Sequence, residues 1–368
     1  MKLLFVIGSL RSGGKERRLT ELVNALSVKT KYNIELILLR KVEHYKIISS
    51  NIKKHYILEE YEKKNPFIIF YRLNKLLIKI KPDLIHSWGF EENMYILLFK
   101  IFSKCILVNS QITDAPSDTD KGFIINLMRR AMFINSNIIL SNSNAGLYAY
   151  NVNSLSNSYV IYNGFSFSRI TNINYESVKK NYNILPNETV IGMVGAFENR
   201  KDYKTFILCI LEILQFKTNV RIFCIGEGYL RNEMMKLIPP LYRGKFVFTG
   251  NVNNVEEFIA IFDIALLLTN FKIHGEGISN SIMEYMALGK PVIATDSGGT
   301  SEIIENNYSG FVIQNNNIKL IVDKIMHLID APQLAKKMGD RGLEIIKSKF
   351  TIQIMIEKFY NIYRGIKS

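Results

Sequence analysis

The chain has 368 residues, 48% hydrophobic and 22% charged, a globular balance that fits two α/β domains better than one. No apolar run approaches the ~20 residues of a membrane span, and MKLLFVIG is too short for a signal peptide, so it reads as a first buried strand. A net charge of +14, with Lys53, Lys54, Lys63, Lys64, Lys75, Lys79, Lys81, Lys100 and Lys104 gathered in the first third, gives the N-terminal half a basic face. That face suits either an anionic membrane surface or plain solvent. A nucleic-acid role would also fit the charge, but no basic-aromatic motif of a known module supports one.

In chain order, residues 3–7 predict a strand and residues 8–14 (GSLRSGG) a loop. Residues 15–28 predict a helix with Leu19, Leu22, Val23 and Leu26 on one face. This unit meets neither nucleotide fingerprint. GxGxxG is absent, the second strand IELILL ends in Arg40 rather than an acid, and Gly13 is followed by Gly14-Lys15-Glu16 instead of Lys and Ser/Thr. What remains is a loop whose glycines let a ligand approach the backbone. Residues 66–80 predict a helix with proline in its first turn, and 81–86 a turn into a strand. His86 stands at that strand's C-terminal end, where open α/β sheets bind ligands; it is a candidate site residue or else a packed histidine. Further strands are expected at 106–110, 138–142 and 159–162, which completes a doubly wound parallel domain by about residue 165.

Residues 171–188, polar and rich in asparagine, read as the most linker-like segment. A second alternating series follows, with strands at 190–194, 220–225, 246–249, 264–268 and 292–295, a helix at 203–215, and a terminal helix from about 352 to 363. Two Rossmann-like halves with glycine loops at strand ends imply a ligand cleft between domains. Cys105, Cys209 and Cys224 lie far apart without CxxC pairing and read as buried free thiols of a reducing compartment. His44, His55, His86, His274 and His327 form no HxxxH or HExxH pattern, so no metal site is expected.

Residues 275–299, GEGISNSIMEYMALGKPVIATDSGG, read as loop, helix, strand, loop. Asn280 is placed as the helix N-cap, Ile278, Ile282, Tyr285 and Met286 recur at helical spacing, and Gly289 with Pro291 stops the helix. Glu276 lies in the leading loop and Glu284 in the helix, roughly 12 Å apart if the segment were helical throughout. Between them the backbone amides of Gly277, Ile278 and Ser279, at a helix N-terminus, are offered to an anion. A diphosphate with a sugar ring at each end suits this layout, one carboxylate per sugar and amides for the phosphates. Glu35 and Glu43 have the same separation in a strand-and-loop setting, so the setting rather than the spacing distinguishes the later pair from a solvated surface helix.

Taken together, SGGKERRL at 12–19, NSNAGLYAY at 142–150, VIYNGF at 160–165, GMVGAFENRKDY at 192–203 and the 275–299 segment resemble the group 1 (family 4) retaining glycosyltransferases of bacterial capsule and O-antigen synthesis. The resemblance runs over nearly the whole chain and implies the GT-B fold, α/β with two Rossmann-like doubly wound domains and a cleft between them. It implies an acceptor-binding domain at 1–166, with the terminal helix 352–368 packing back on it, and a nucleotide-sugar-binding domain at 167–351. Matched residue by residue, Glu276 is the first glutamate of the E-x7-E motif and contacts the donor sugar. Glu284 is the second and holds the nucleotide ribose hydroxyls. Lys201 binds the diphosphate, and Gly13 and Gly14 approach the donor phosphates. Three departures stand out, one of them His274 ahead of the first glutamate's loop, which is assigned no role. Ala196 occupies the position of the family's arginine, with Arg200 a candidate to reach the same phosphate. The strand before residue 114 lacks the family's histidine, for which His86, Gln111 or Asp114 are candidate substitutes.

The reaction the resemblance implies is metal-independent, retaining transfer of a hexose-type sugar, with no cofactor, from a UDP- or GDP-linked donor to a lipid-linked glycan or similar acceptor. The protein is then a cytoplasmic enzyme peripheral to the inner face of the membrane. Double displacement needs two carboxyls about 5–5.5 Å apart, closer than Glu276 and Glu284 would lie, and the resemblance instead implies front-face attack with the leaving phosphate taking the acceptor proton. The rival readings are a sugar-nucleotide epimerase of similar fold and a non-catalytic nucleotide-sugar-binding relative.

Overall fold

The computed structural model describes residues 1–11, 13–119 and 122–366; Ser12, at the start of the SGGKERRL motif, and residues 120, 121, 367 and 368 lie outside the described residues. The chain divides into two compact units. Unit 1 comprises Met1–Thr113, Asp118–Asn163 and Ile352–Ser368, and unit 2 comprises Asp114–Ser117 and Gly164–Thr351.

Unit 1 alternates strand and helix: β1 (Lys2–Ile7), α1 (Gly14–Lys29), β2 (Asn33–Arg40), β3 (Lys53–Leu58), α2 (Pro66–Ile80), β4 (Leu84–Ser87), α3 (Phe90–Ile101), β5 (Ile106–Ile112), α4 (Phe123–Asn135), β6 (Ile138–Ser141), α5 (Asn144–Ala149) and β7 (Ser158–Val160). The strands pair in parallel in the order β3-β2-β1-β4-β5-β6-β7, so the winding direction reverses between β1 and β4. Both faces of this sheet are covered, which is why β1 is apolar at every buried position rather than alternating. Leu3, Phe5 and Ile7 pack under Leu19, Leu22 and Leu26 of α1, whereas Leu4 and Val6 pack under Ile69, Leu73 and Leu77 of α2. Helix α2 begins where the sequence reading puts it, with Pro66 in its first turn and the Asn65 side chain accepting from the amides of Phe67 and Ile68.

Unit 2 runs α6 (Tyr175–Asn181), β8 (Thr189–Val194), α7 (Tyr203–Ile213), β9 (Val220–Ile225), α8 (Arg231–Lys236), β10 (Phe246–Gly250), α9 (Val255–Ala260), β11 (Ile264–Leu267), α10 (Asn280–Ala287), β12 (Val292–Thr295), α11 (Thr300–Ile303), β13 (Gly310–Ile313), α12 (Ile318–Asp330) and α13 (Pro332–Lys349). Its six parallel strands lie in the order β10-β9-β8-β11-β12-β13, with the reversal between β8 and β11. The last helix, α14 (Ile352–Gly365), belongs to unit 1, where Phe359 and Tyr363 are buried with Leu22 and Trp88.

Two sequence expectations change. The linker-like stretch 171–188 contains α6, which the Asn174 side chain caps by accepting from the Ser177 amide and which Val178 anchors as its one buried residue. Residue 279, not 280, is the N-cap of α10, so Asn280 is the first helical residue and the segment from Glu276 to Glu284 is not helical throughout.

Candidate functional site

In unit 2 the reversal of strand order opens the C-terminal ends of β8 and β11, the place where open parallel sheets hold ligands. The loops leaving these strands pair with each other: Asp202 N donates to Leu268 O at 2.9 Å, Asn270 N donates to Arg200 O at 2.9 Å, and Lys201 bridges Thr269 in antiparallel fashion. This pairing fixes the Lys201 backbone. The backbone of Glu276 is fixed from the other side, because its carbonyl accepts from Gly299 N at 2.7 Å and Gly275 O accepts from Ala115 N at 2.9 Å. Two glycines are required here. A Cβ on Gly275 would lie 1.7 Å from Ala115 O, and Gly298 has φ +57° with its would-be Cβ 2.1 Å from Glu276 O.

The side chains converge on one carboxylate. Lys201 Nζ donates to Glu276 Oε1 at 2.5 Å, and Thr269 Oγ1 donates to the same oxygen at 2.9 Å. His274 Nε2 stands 3.9 Å from it. Thr269 is tied in turn, its amide donating to Thr295 Oγ1 at 3.0 Å, while Asn316 donates to Thr269 O at 3.0 Å and to Asp202 Oδ2 at 2.7 Å. Burial pushes the Glu276 carboxyl up, but the Lys201 ammonium, with His274 and the two hydrogen bonds, outweighs it and holds the group below the ordinary carboxylate range. His274 moves the other way for a base: burial lowers it, and Lys201 and Arg200 add to the effect against Glu276 and Asp114.

Gly277, Ile278 and Ser279 follow Glu276 directly, all buried, and lead into the N-terminus of α10. Glu284 lies further along the same helix, also buried, with Oε1 accepting from Arg169 Nη2 at 2.6 Å. Helix α10 is held under β8 by Tyr285, whose hydroxyl accepts from Val194 N at 2.7 Å.

Not every predicted residue joins this group. Arg200 turns outward, half-exposed, to pair with Glu198 at 2.9 Å. His86 is corrected: it is wholly buried in unit 1, Nδ1 2.6 Å from Tyr363 Oη and Nε2 2.7 Å from Ser110 Oγ, among Phe5, Trp88 and Phe359. Burial, aided by the Arg18 charge, keeps its ring well below the ordinary imidazole value. With both nitrogens engaged inside the core it cannot touch a substrate, so the packed-histidine alternative holds. Gly13 and Gly14 start α1 of unit 1, and the Glu16 carboxylate folds over Gly13, Oε2 lying 2.2 Å from where a Cβ would stand. Glu16 occupies the third helical position, from which a glutamate reaches back to the N-cap. Sequence reasoning missed Thr269 and Arg169 and gave no role to His274, which the structure sets beside Glu276. Thr269 had a positional signal, lying just past a strand's C-terminal end; Arg169, in FSFSRI, had none.

Residues 174–344 match the family described as "Glycosyl transferases group 1". They form a group 1 glycosyltransferase domain. Over 359 residues the chain is 25% identical to the Campylobacter jejuni enzyme N-acetylgalactosamine-N,N'-diacetylbacillosaminyl-diphospho-undecaprenol 4-alpha-N-acetylgalactosaminyltransferase, covering 93% of each chain. It is 27% identical over 206 residues to the Staphylococcus aureus capsular polysaccharide biosynthesis glycosyltransferase CapM, covering 55% of this chain and 52% of that one. The chain spans about half or less of the length of several such curated relatives, 49% of a Bacillus anthracis N-acetyl-alpha-D-glucosaminyl L-malate synthase among them. Among solved structures, Anabaena HepE in complex with UDP and glucose superposes with a TM-score of 0.85 at 17% identity, over 99% of this chain and 100% of that one. At that identity the match shows the shared fold, two parallel Rossmann-like domains, and no more. Within the glycosyltransferase domain Glu276 and Glu284 stand at the E-x7-E spacing, and the geometry gathers Lys201, Thr269 and His274 around the first of them.

Proposed function

We propose that the chain is a retaining glycosyltransferase that moves a hexose-type sugar from a nucleoside diphosphate sugar, UDP-linked or GDP-linked, to a hydroxyl of a lipid-linked glycan. The observation that carries this reading is the buried Lys201–Glu276 pair beside the N-terminus of α10, with Glu284 in the same helix. UDP in the HepE complexes and diphospho-undecaprenol in the name of the Campylobacter relative support the donor and acceptor classes.

In the proposed reaction the donor diphosphate competes with Glu276 for the Lys201 ammonium, and the amides of Gly277, Ile278 and Ser279 meet its oxygens at the helix N-terminus. The bond from the anomeric carbon to the phosphate oxygen breaks as the acceptor oxygen attacks from the same face, and the acceptor proton passes to the departing phosphate. Positive charge grows on the sugar ring and negative charge on the phosphate. Glu276 faces the first and Lys201 the second, both held in place before the reaction starts. This scheme routes no step through a metal ion or through Glu276 as a nucleophile. In the same proposal Gly13 and Gly14 approach the donor phosphates and Arg200 is a reserve cation for them.

The proposed partner surface is an anionic membrane on the cytoplasmic side. Among the described residues no helix is long and apolar enough to cross a membrane. Helix α2 has no acidic residue, and its outer stripe sets Phe67, 84% exposed, and Tyr71 beside Arg72, Lys75 and Lys79. Helix α4 likewise lacks acids and exposes Phe123 and Ile124 on the same helical layer, with α3 between the two.

The test is a panel of nucleotide sugars screened for thermal stabilisation of the full chain, then transfer to a lipid-diphosphate glycan with and without excess chelator. Stabilisation by one donor, transfer that survives the chelator, and a product that keeps the donor's anomeric configuration are expected. Conversion of donor without acceptor, or loss of transfer restored by magnesium, overturns the reading.

A further inference from the structure

Glu284 shares its cation. Arg169 Nη2 donates to Glu284 Oε1 at 2.6 Å and also contacts Oε1 of Glu256, in the first turn of α9. Arg169 comes from a short 3-10 turn, Phe167–Ile170, distant in sequence from both acids, and its guanidinium lies over the Phe165 ring, 4.9 Å from the centroid. The three groups are withdrawn from solvent: Glu284 is 4% exposed, Glu256 7%, and the Arg169 side chain 20%.

A structural ion pair needs one carboxylate per cation. Arg169 meets two, both withdrawn from solvent, and so ties Glu284 of α10 to Glu256 of α9 through one guanidinium. Glu256 and the Phe165 ring hold the guanidinium beside Glu284. Ile282, Tyr285 and Met286, not Glu284, supply the apolar packing of α10. A charge-assisted hydrogen bond from Nη2 holds one oxygen of the carboxylate, and a carboxylate held in advance loses less freedom when a ligand's hydroxyls bind.

We infer that Arg169, anchored by Glu256 and Phe165, is a positioning residue that sets the Glu284 carboxylate to accept hydrogen bonds from the ribose hydroxyls of the donor nucleotide. This rests on reading unit 2 as the donor site.

The experiment measures equilibrium binding of UDP and of 2′,3′-dideoxy-UDP to the full chain. It is repeated with Arg169→Lys, which keeps the cation but loses the guanidinium that lies over Phe165 and meets both acids, and with the double variant Arg169→Met/Glu256→Gln, which keeps the net charge of the cluster. Circular dichroism and thermal unfolding confirm that each is folded. The wild type binds UDP at least about tenfold more tightly than the dideoxy form. Each variant loses about tenfold for UDP and less than about twofold for dideoxy-UDP, and donor KM rises in step while kcat holds. Equal losses for the two ligands, or unchanged UDP affinity in both variants, overturn the role of Arg169. A wild type that does not distinguish the two ligands overturns the donor-site reading itself, whatever the variants do.

Discussion

Replacing Lys201 by methionine keeps the aliphatic stem and removes the charge that Glu276 Oε1 meets at 2.5 Å. Removing one partner of a buried pair costs about 3–5 kcal/mol, because the other charge stays behind without compensation. Here the Lys201 and Glu276 side chains keep 15% and 10% of their exposure, and Thr269 Oγ1 still donates to the carboxylate, so the lower end, about 3 kcal/mol, is expected. For a unit of this size that lowers the midpoint of thermal unfolding by about 6–12 °C. The loss also depends on pH. The Glu276 carboxyl titrates below 4.5 in the fold, so its stabilisation is complete above that value and is lost as pH falls through the lower, folded one. The deficit of Lys201→Met is therefore full at pH 7 and shrinks in acid, where the carboxyl is protonated in wild type and variant alike. Adding Glu276→Gln to Lys201→Met restores most of the stability at pH 7, because no unpaired charge remains. Urea unfolding of the wild type, both single variants and the double variant at pH 7 and pH 4 checks this. A single variant that costs less than about 1 kcal/mol at pH 7, or a double variant no more stable than Lys201→Met, refutes the reasoning.

Glu284→Gln raises donor KM by about 10- to 150-fold with little change in kcat, and Glu276→Gln lowers kcat by a similar factor, because only the second faces charge that develops in the transition state. Glu35→Gln, which in the fold alters the contact with His55 Nε2 at 2.6 Å, leaves both constants alone; a comparable kinetic cost there would disqualify the site. His86 stays neutral in the core but takes a proton once unfolded, so its contribution is complete above about 6.5 and is lost as pH falls through that value, by up to ~1.4 kcal/mol per pH unit. Urea midpoints at pH 7 and 5.5 show that slope, and His86→Gln flattens it; an unaltered slope contradicts the assignment. The protein sediments with anionic but not neutral vesicles and is released by high salt, each lysine near the surface adding about 1 kcal/mol. Indifference to vesicle charge removes the membrane from the proposal.

The sequence shows most where burial is two-sided. LLFVI and VIAT are apolar throughout because helices cover both sheet faces, so their strands could be read directly. Strand β3 (KKHYIL) could not, because it closes the sheet edge and carries charges that an inner strand would exclude. Helix α6 hid in a polar stretch because one residue, Val178, suffices to dock it. At the site, Glu276, Lys201 and Glu284 were legible from glycine-bounded loops and the start of a helix. Arg169 and Thr269 were not, since their roles exist only once distant segments meet. His86 shows the limit of a positional rule. The C-terminal end of β4 suits ligand and core equally, and Tyr363, 277 positions away on α14, decides it.

The backbone contact between Ala115 and Gly275 bears on recombination. Residues 114–117 sit in the middle of unit 1's stretch of chain yet count with unit 2, and the glycine they touch precedes the glutamate proposed to meet the sugar. A chimera that takes everything from residue 164 to 351 from one parent still inherits this short strap from the other. Transplanting sugar preference between relatives therefore requires the four-residue strap to travel with the larger fragment, so that Gly275 finds the backbone it is shaped against.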